Sequence, residues 1–413
     1  MRTHGLWLLG VIACRPPEPL PAQVRSGIDV LLTDSIHLIA GKRIALLTNQ
    51  TGVDRAGRRD VDLLRSAGPG PAAPFVLVQI FSPEHGFRGV EDRPGLPDGS
   101  DSATGLPIYS LYTGSRPPNY APLDRVDLLL IDLQDIGARY YTYPATAVLL
   151  MREAARRGKP VVVLDRPDPV GGELVQGNVR AAAAPLDSGG LDFLPVPMRH
   201  GMTLGELLRL ANDVYGLHAQ LTVVPAAGWH RAMFFDATGL PWIKPSPNMP
   251  SLESATHYPG TCLFEATNLS VGRGTDVAFQ VIGAPWLDPD AVLRRLEGAA
   301  GAALQGVEVT VTSFTPHSPT DGKYDATALR GLRLRVTDRQ RYDPTRLAVA
   351  LLAAIRQMHP DSLRIRASRF DQLAGGAELR EAIVAGEAPS EIWREWDARL
   401  TQFRETRVKY LLY

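Results

Sequence analysis

Four short apolar runs in the first half of the chain each stop at a cluster of polar residues. The runs and the clusters that follow them are Lys42–Leu47 before Thr48–Gly52, Phe75–Phe81 before Ser82–Gly86, Val126–Ile131 before Asp132–Gly137, and Pro160–Leu164 before Asp165–Asp168. Near-continuous apolar runs are typical of strands buried on both faces of a parallel sheet. Helical segments separate them, including one that opens with a capping box formed by Thr203 and Glu206. The first half is therefore predicted to be a doubly wound α/β sheet.

The polar clusters predict a functional site at one edge of this sheet. In open parallel sheets, ligands bind outside the carboxyl ends of the strands, and all four clusters fall at those ends. The chemically useful side chains in them are Glu84, His85, Asp132, Asp135, Arg139 and Asp165. A single cluster of this kind is also typical of a capped turn. Four in succession favour a site, with Glu84 at its centre.

The second half of the chain has a different residue pattern, which predicts a smaller α+β domain. The proline-rich segment from Pro241 to Pro250 forbids regular elements and indicates an ordered crossing between domains. Beyond it, Val307–Thr312 and Leu332–Val336 alternate like half-exposed strands, while two later segments have helical periodicity. We predict a leader and tether at 1–22, a catalytic domain at 23–240 and a smaller domain at 241–413. The site is expected in the cleft between the two domains.

Length, charge and motifs exclude several classes of function. A chain of 413 residues is too long for one ordinary domain. Lys plus Arg and Asp plus Glu both number 44, so no overall field attracts nucleic acid or an anionic membrane. The first strand leads to Thr48–Gly52 rather than to a dinucleotide-binding or phosphate-binding glycine loop. Zinc-ligand spacings are missing from the sequence, and we expect neither a metal site nor a cofactor.

The N-terminal residues have the pattern of an export signal. A basic start precedes the apolar stretch Leu6–Ala13, which is too short to span a bilayer. Val11–Cys14 resembles a bacterial lipobox, so Cys14 is expected to carry a lipid, and four prolines in 16–21 form a stiff tether. The alternative is an irregular N-terminus without a targeting role. The second cysteine, Cys262, lies in an apolar context and is expected to be an inert buried thiol.

Several long motifs resemble those of the bacterial exo-β-N-acetylmuramidase family, formerly grouped as a domain of unknown function. The matching stretches are Leu47–Gly52, Phe81–Gly89, Asp132–Tyr143, Asp165–Pro169, Pro197–Thr203, Pro245–Pro250, Thr261–Asn268 and Lys409–Tyr413. The resemblance extends from about Gly27 to the end of the chain. It implies a Rossmann-like first domain, a smaller second domain, and release of N-acetylmuramic acid from the non-reducing ends of peptidoglycan glycans. One departure is Ala266, where we expect glycine.

This implied chemistry gives the candidate residues roles. Glycoside hydrolysis normally needs a carboxylic acid that protonates the leaving oxygen and a second group that attacks carbon or activates water. Glu84, beside Phe81 and Phe87, is the candidate acid. The second carboxylate stays open among Asp132, Asp135 and Glu265, and His85 is expected either to orient Glu84 or to be structural.

The substrate-binding candidates follow from the chemistry of muramic acid. Its lactyl carboxylate requires a forked cation. The candidates for this are Arg139, Arg199 and Arg273. Hydrogen bonds to the acetamido and hydroxyl groups are expected from Asn49, Asn248, Asn268 and His200, and Tyr143 is included from the same motifs.

Two other classes of function stay open from the residues alone. A metal-assisted phosphoesterase or deacylase would use Asp132, Asp165 and His85. A sugar-binding lipoprotein without catalysis would use the same cleft.

Overall fold

The computed structural model describes residues 23–68, 74–186, 194–299 and 301–413. Its strands are β1 (Arg43–Thr48), β2 (Val76–Ser82), β3 (Gly99–Ser100), β4 (Pro107–Ser110), β5 (Leu128–Asp132), β6 (Val161–Leu164), β7 (Gln176–Val179), β8 (Pro197–Arg199), β9 (Leu221–Val224), β10 (Val281–Gly283), β11 (Val307–Phe314) and β12 (Leu329–Val336). Its helices are α1 (Gly27–Asp34), α2 (Asp60–Ala67), α3 (Thr142–Arg156), α4 (Leu204–Val214), α5 (Leu252–Thr261), α6 (Pro289–Ala299), α7 (Pro344–Met358), α8 (Ala367–Ala374), α9 (Glu378–Ala385) and α10 (Pro389–Arg407).

A seven-stranded sheet in the order β3-β4-β2-β1-β5-β6-β9 forms the larger domain. All neighbouring strands are parallel except β3 and β4. The four apolar runs became β1, β2, β5 and β6, and they occupy the centre of the sheet. Thr48 pairs with Asp132, so the carboxyl ends of β1 and β5 lie at the same level. The predicted parallel sheet is confirmed.

Helices cover both faces of this sheet because successive strand residues point to opposite sides. Ile44 and Leu46 pack in one buried cluster with residues of α1 and α2. Ala45 and Leu47 pack in a second cluster with α3 and α4. The sheet is therefore doubly wound, as predicted. At the start of α4, Thr203 accepts a hydrogen bond from the Glu206 backbone N–H, which confirms the capping box.

The smaller domain contains an antiparallel sheet in the order β10-β12-β11, flanked by helices. The predicted strands in this half are confirmed as β11 and β12, and the two predicted helices as α7 and α10. The boundary at residue 240 stays a prediction. The chain ends against the larger domain, where the Tyr413 hydroxyl donates to Asp165 Oδ2 at 2.9 Å.

The predicted leader, lipobox and tether lie outside the described residues. Among the helices that the structure does describe, none combines the length and apolar character needed to cross a bilayer.

Candidate active site

A cavity of about 420 Å³ lies at the carboxyl edge of the parallel sheet. The larger domain contributes the side chains of Glu84, His85, Asp92, Tyr112, Tyr140, Tyr141 and Thr142 to its lining. The later part of the chain contributes Ser246, Asn248, Met249, Tyr258, Cys262, Glu265, Arg273, Phe279, Arg369, Gln372 and Leu373. The cavity therefore takes its walls from both halves of the chain.

Glu84 lies just past the end of β2, half-buried in this cavity. Ser82 of β2 pairs with Ser110 of β4, so Glu84 and Tyr112 both lie two residues beyond paired strand ends and meet there. Burial raises the pKa of Tyr112, and so do the Glu84 charge and a hydrogen bond to Glu84. Tyr112 therefore stays protonated and can donate its hydroxyl hydrogen to Glu84.

His85 connects Glu84 to a second acidic residue. Its Nδ1–H donates to the carbonyl of Glu91 at 2.8 Å, and the same atom lies 3.4 Å from Asp92 Oδ1. Asp92 Oδ2 accepts a hydrogen bond of 2.6 Å from Asn248 Nδ2. The His85 backbone has a φ of 68°, which is the left-handed region that non-glycine residues rarely adopt. The strand end is thus turned sharply at the residue that follows Glu84.

Glu265 and Arg273, from the later part of the chain, form an ion pair in the cavity wall. Glu265 lies in the 3₁₀ helix Cys262–Ala266, and its Oε1 is 2.6 Å from Arg273 Nε and 2.5 Å from Arg273 Nη2. Arg273 also lies 3.5 Å from Asp92 Oδ2 and packs its guanidinium over Phe279. Burial lowers the pKa of Arg273, but the Glu265 charge and hydrogen bond raise it above its usual value overall. The ion pair joins the 3₁₀ helix Cys262–Ala266 to the loop that carries Arg273.

Aromatic rings complete the walls. Tyr258 stands edge-on to Tyr141 and Phe279, with ring centroids 6.1 Å and 4.8 Å apart. Rings of this kind offer apolar faces beside polar groups, which suits a sugar ring.

Burial raises the pKa of the Cys262 thiol, and the Glu265 charge adds to that effect. Cys262 is therefore a protonated, unreactive wall residue.

Five of the predicted site residues share the cavity, and the other predicted carboxylates do not line it. The five are Glu84, His85, Asn248, Glu265 and Arg273. Asp132 is fully buried and pairs with Arg166, whose Nη2 donates to Asp132 Oδ2 at 2.9 Å. Burial raises the pKa of Asp132, and the Arg166 charge opposes that rise. Asp135 accepts from the Gly137 backbone N–H at 3.0 Å and lies 3.3 Å from His200 Nε2.

The remaining predicted binding residues do not line the cavity, and their hydrogen bonds are to other protein groups. Arg139 donates to the carbonyls of Asn178, Val196 and Leu373, and Arg199 to Gln176 and to the Val170 carbonyl. Asn49 caps the turn at Thr51, and Tyr143 donates to the Pro245 carbonyl. Asn268 donates to the Ser362 carbonyl and accepts from the Arg364 backbone N–H. These residues hold the loops that surround the cavity.

The structure adds lining residues that sequence reasoning missed. They include Asp92, Tyr112, Tyr141, Tyr258, Arg369 and Gln372. Tyr112 follows β4, which is only four residues long and partly exposed, so no apolar run pointed to it. Tyr141 lies inside the motif Asp132–Tyr143, whereas Arg369 and Gln372 lie on α8, an eight-residue helix that was not predicted from the sequence. Ala266, where glycine was expected, is fully buried without a positive φ, so its methyl group is accommodated.

Within the described ranges, no group of three or more His, Cys, Asp or Glu residues is placed to hold a metal ion. The cavity lining offers carboxylates, phenols and guanidinium groups.

A doubly wound sheet whose carboxyl edge opens into a cavity lined by carboxylates and aromatic rings has the groups that a glycoside hydrolase needs. The chain belongs to the exo-β-N-acetylmuramidase family: the family models described as exo-beta-N-acetylmuramidase NamZ, N-terminal and C-terminal, match residues 44–253 and 256–413. It is 38% identical, over 99% of its length and 98% of the relative, to the peptidoglycan beta-N-acetylmuramidase NamZ of Bacillus subtilis (strain 168). This confirms the resemblance drawn from the motifs.

Two crystal structures of DUF1343 family proteins from Bacteroides fragilis NCTC 9343 share the fold. One superimposes with a TM-score of 0.82 at 31% identity and covers 96% of this chain and 100% of its own. The other has a TM-score of 0.74, also at 31% identity, and covers 95% and 99%.

Proposed function

We propose that this protein releases N-acetylmuramic acid from the non-reducing ends of peptidoglycan fragments, with Glu84 as the general acid. The family described as exo-acting and the muramidase named among its relatives support the substrate and the reaction. The observation that carries the mechanism is that Glu84 faces the same cavity as Glu265 and Asp92. Glycoside hydrolysis needs two such groups around one sugar ring.

Glu84 is proposed to protonate the glycosidic oxygen as the bond to the leaving sugar breaks. Glu84 is half-buried in the cavity, which limits its contact with water, and its hydrogen bond with Tyr112 fixes its direction. Glu265 is proposed as the second group, because it alone of Asp132, Asp135 and Glu265 faces the cavity. The negative charge of Glu265 would stabilise the positive charge that develops on the sugar ring in the transition state.

The cavity also supports action at chain ends. At about 420 Å³ it falls near the lower end of the range of roughly 300 to 1,000 Å³ for small-ligand sites. A space of this size accommodates one sugar residue and its substituents rather than an extended glycan. The terminal residue is therefore the one proposed to enter.

Glu84→Gln tests the proposal. The amide cannot deliver a proton, so kcat/KM for a chromogenic β-N-acetylmuraminide should fall by about 10²-fold to 10⁴-fold, the usual contribution of a general acid. Glu91→Gln is the matched control, because Glu91 lies on the same loop with a side chain that is 46% exposed. Glu91→Gln should retain full activity. Unchanged turnover by Glu84→Gln, with both variants folded, would refute the assignment.

We further propose that the protein acts in the cell envelope and is anchored through a lipid on Cys14. The basic start, the apolar stretch Leu6–Ala13 and the lipobox-like Val11–Cys14 support this. The full-length protein expressed in a bacterium should incorporate a labelled fatty acid and sediment with membranes, and Cys14→Ser should abolish the label. An unlabelled wild-type protein in the cytosolic fraction would contradict it.

A further inference from the structure

Two arginines line the cavity, and they differ in how their charge is balanced. Arg273 pairs with Glu265 and approaches Asp92, so carboxylates of the protein already neutralise it. Arg369, on α8, is half-buried, and its Nη1 donates to the neutral amide of Gln372 at 2.8 Å. No carboxylate in the described ranges forms an ion pair with Arg369. Its charge faces the cavity without compensation.

The charge of Arg369 reaches across the cavity. Burial raises the pKa of Tyr112 and of the Cys262 thiol, and the Arg369 charge opposes both rises. Tyr112 follows β4 in the larger domain, whereas Cys262 follows α5 in the smaller one. The guanidinium group therefore lies close to both walls that would enclose a sugar.

An anionic substrate needs such a cation in this cavity. Glu84, Asp92 and Glu265 all line it, so a bound carboxylate would meet three acidic side chains. N-acetylmuramic acid differs from N-acetylglucosamine by a lactyl ether that carries a carboxylate. Favourable binding of that carboxylate requires a positively charged side chain whose N–H donors are not already used by the protein.

Gln372 prepares Arg369 for this role. The two residues are three apart on α8, which places their side chains on neighbouring turns of one face. With Nη1 held by Gln372, the Nε and Nη2 edge of the guanidinium is left to pair with two carboxylate oxygens. Arg139 and Arg199, by contrast, donate to backbone carbonyls outside the cavity lining.

We propose that Arg369 binds the lactyl carboxylate of the terminal N-acetylmuramic acid and thereby determines the preference over N-acetylglucosamine. The inference rests on the proposed function and adds the residue that recognises the lactyl carboxylate. Arg369 is a specificity residue, and it takes no part in proton transfer.

The test compares a chromogenic β-N-acetylmuraminide with the same compound in which the lactyl carboxyl is a carboxamide. Arg369→Met should lower kcat/KM for the acid by about thirtyfold to a hundredfold, mainly through KM, because it removes the partner of a partly desolvated charge. It should change kcat/KM for the carboxamide by less than about threefold. Arg369→Lys should recover part of the loss, since it restores charge without the fork.

Arg394→Met is the control, because Arg394 is an exposed arginine on α10. Arg394→Met should leave kcat/KM unchanged for both substrates. Far-ultraviolet circular dichroism should show that all variants are folded. An equal loss by Arg369→Met on the acid and the carboxamide, or no loss on either, would overturn the inference.

A failure of the proposed function is distinguishable from this. If the wild-type protein hydrolyses neither substrate, calorimetric titration with free N-acetylmuramic acid and N-acetylglucosamine decides the role of Arg369. A preference for the acid that disappears in Arg369→Met supports the inference. An unchanged preference, or no binding of the acid to the wild-type protein, overturns it.

Discussion

At the scale of single residues, His85 combines a cavity position with an unfavourable backbone. Its φ of 68° costs an L residue roughly 1 to 2 kcal/mol, whereas glycine adopts this region freely. The imidazole offsets part of that cost through its hydrogen bond to the Glu91 carbonyl. We therefore expect His85→Gly to be more stable than His85→Ala by about 1 kcal/mol in urea unfolding, although both remove the side chain.

His218 provides the matched comparison. It also has a positive φ, of 53°, but it is exposed and does not line the cavity. The pair His218→Gly and His218→Ala should show the same order of stability while muraminide hydrolysis stays unchanged. Both His85 variants should lose activity, because the link from the strand end to the Asp92 loop is gone. Equal stabilities of His85→Gly and His85→Ala would disprove the strain argument.

Residue identity alone did not assign roles to the arginines. Arg139, Arg199 and Arg273 all lie in or near motifs, and each has the chemistry to bind a carboxylate. A guanidinium satisfies buried backbone carbonyls equally well, and that is the use made of Arg139 and Arg199. What distinguishes a substrate-binding arginine is whether its guanidinium already has hydrogen-bond or ion-pair partners in the protein. Those partners are seen only in the folded structure.

At the scale of elements, the buried central strands of the large sheet could be predicted from the sequence and its partly exposed edge strand β9 could not. β1, β2, β5 and β6 lie at the centre of the sheet and are apolar throughout, so their sequences identified them. β9 is an edge strand with partly exposed residues, and it gave no such signal.

Helices with mixed patterns were equally hard to read from the sequence. α5 contains Pro259, which interrupts the usual helical pattern although the helix continues past it. The missed elements matter for the site, because α5 and α8 carry cavity residues.

At the scale of the whole molecule, the sequence predicted the sheet edge but not what closes it. The carboxyl ends of parallel strands meet for topological reasons, which placed Glu84 at the edge. The rest of the cavity lining comes from segments as distant as Glu265 and Arg369, and their approach depends on tertiary packing that a local pattern does not encode. The packing also buries an acidic group of the cluster after β6 close to Asp135 of the cluster after β5.

That group is Asp168, and it links the stability of the molecule to pH. Burial raises its pKa from an ordinary value of 3.8 to about 7; the neighbouring Asp135 charge adds to the rise, and those of His200 and Arg199 oppose it. Between these two pH values the folded state holds a proton that the unfolded chain has released. The stability from this group is therefore fully present below about pH 4 and is lost as the pH rises to about 7.

Asp168→Asn should remove this part of the pH dependence. Asp168 Oδ1 accepts from the Val170 backbone N–H at 3.0 Å, a bond that the amide oxygen of asparagine retains. Oδ2 has no hydrogen-bond partner among the residues that the structure describes. Urea unfolding of the wild-type protein should show stability falling from pH 5 to pH 7, and the variant should show a shallower decline. Asp397→Asn, at a side chain that is 63% exposed, should keep the wild-type slope. Parallel curves for the wild type and Asp168→Asn would mean that the buried carboxyl is already ionised throughout this range.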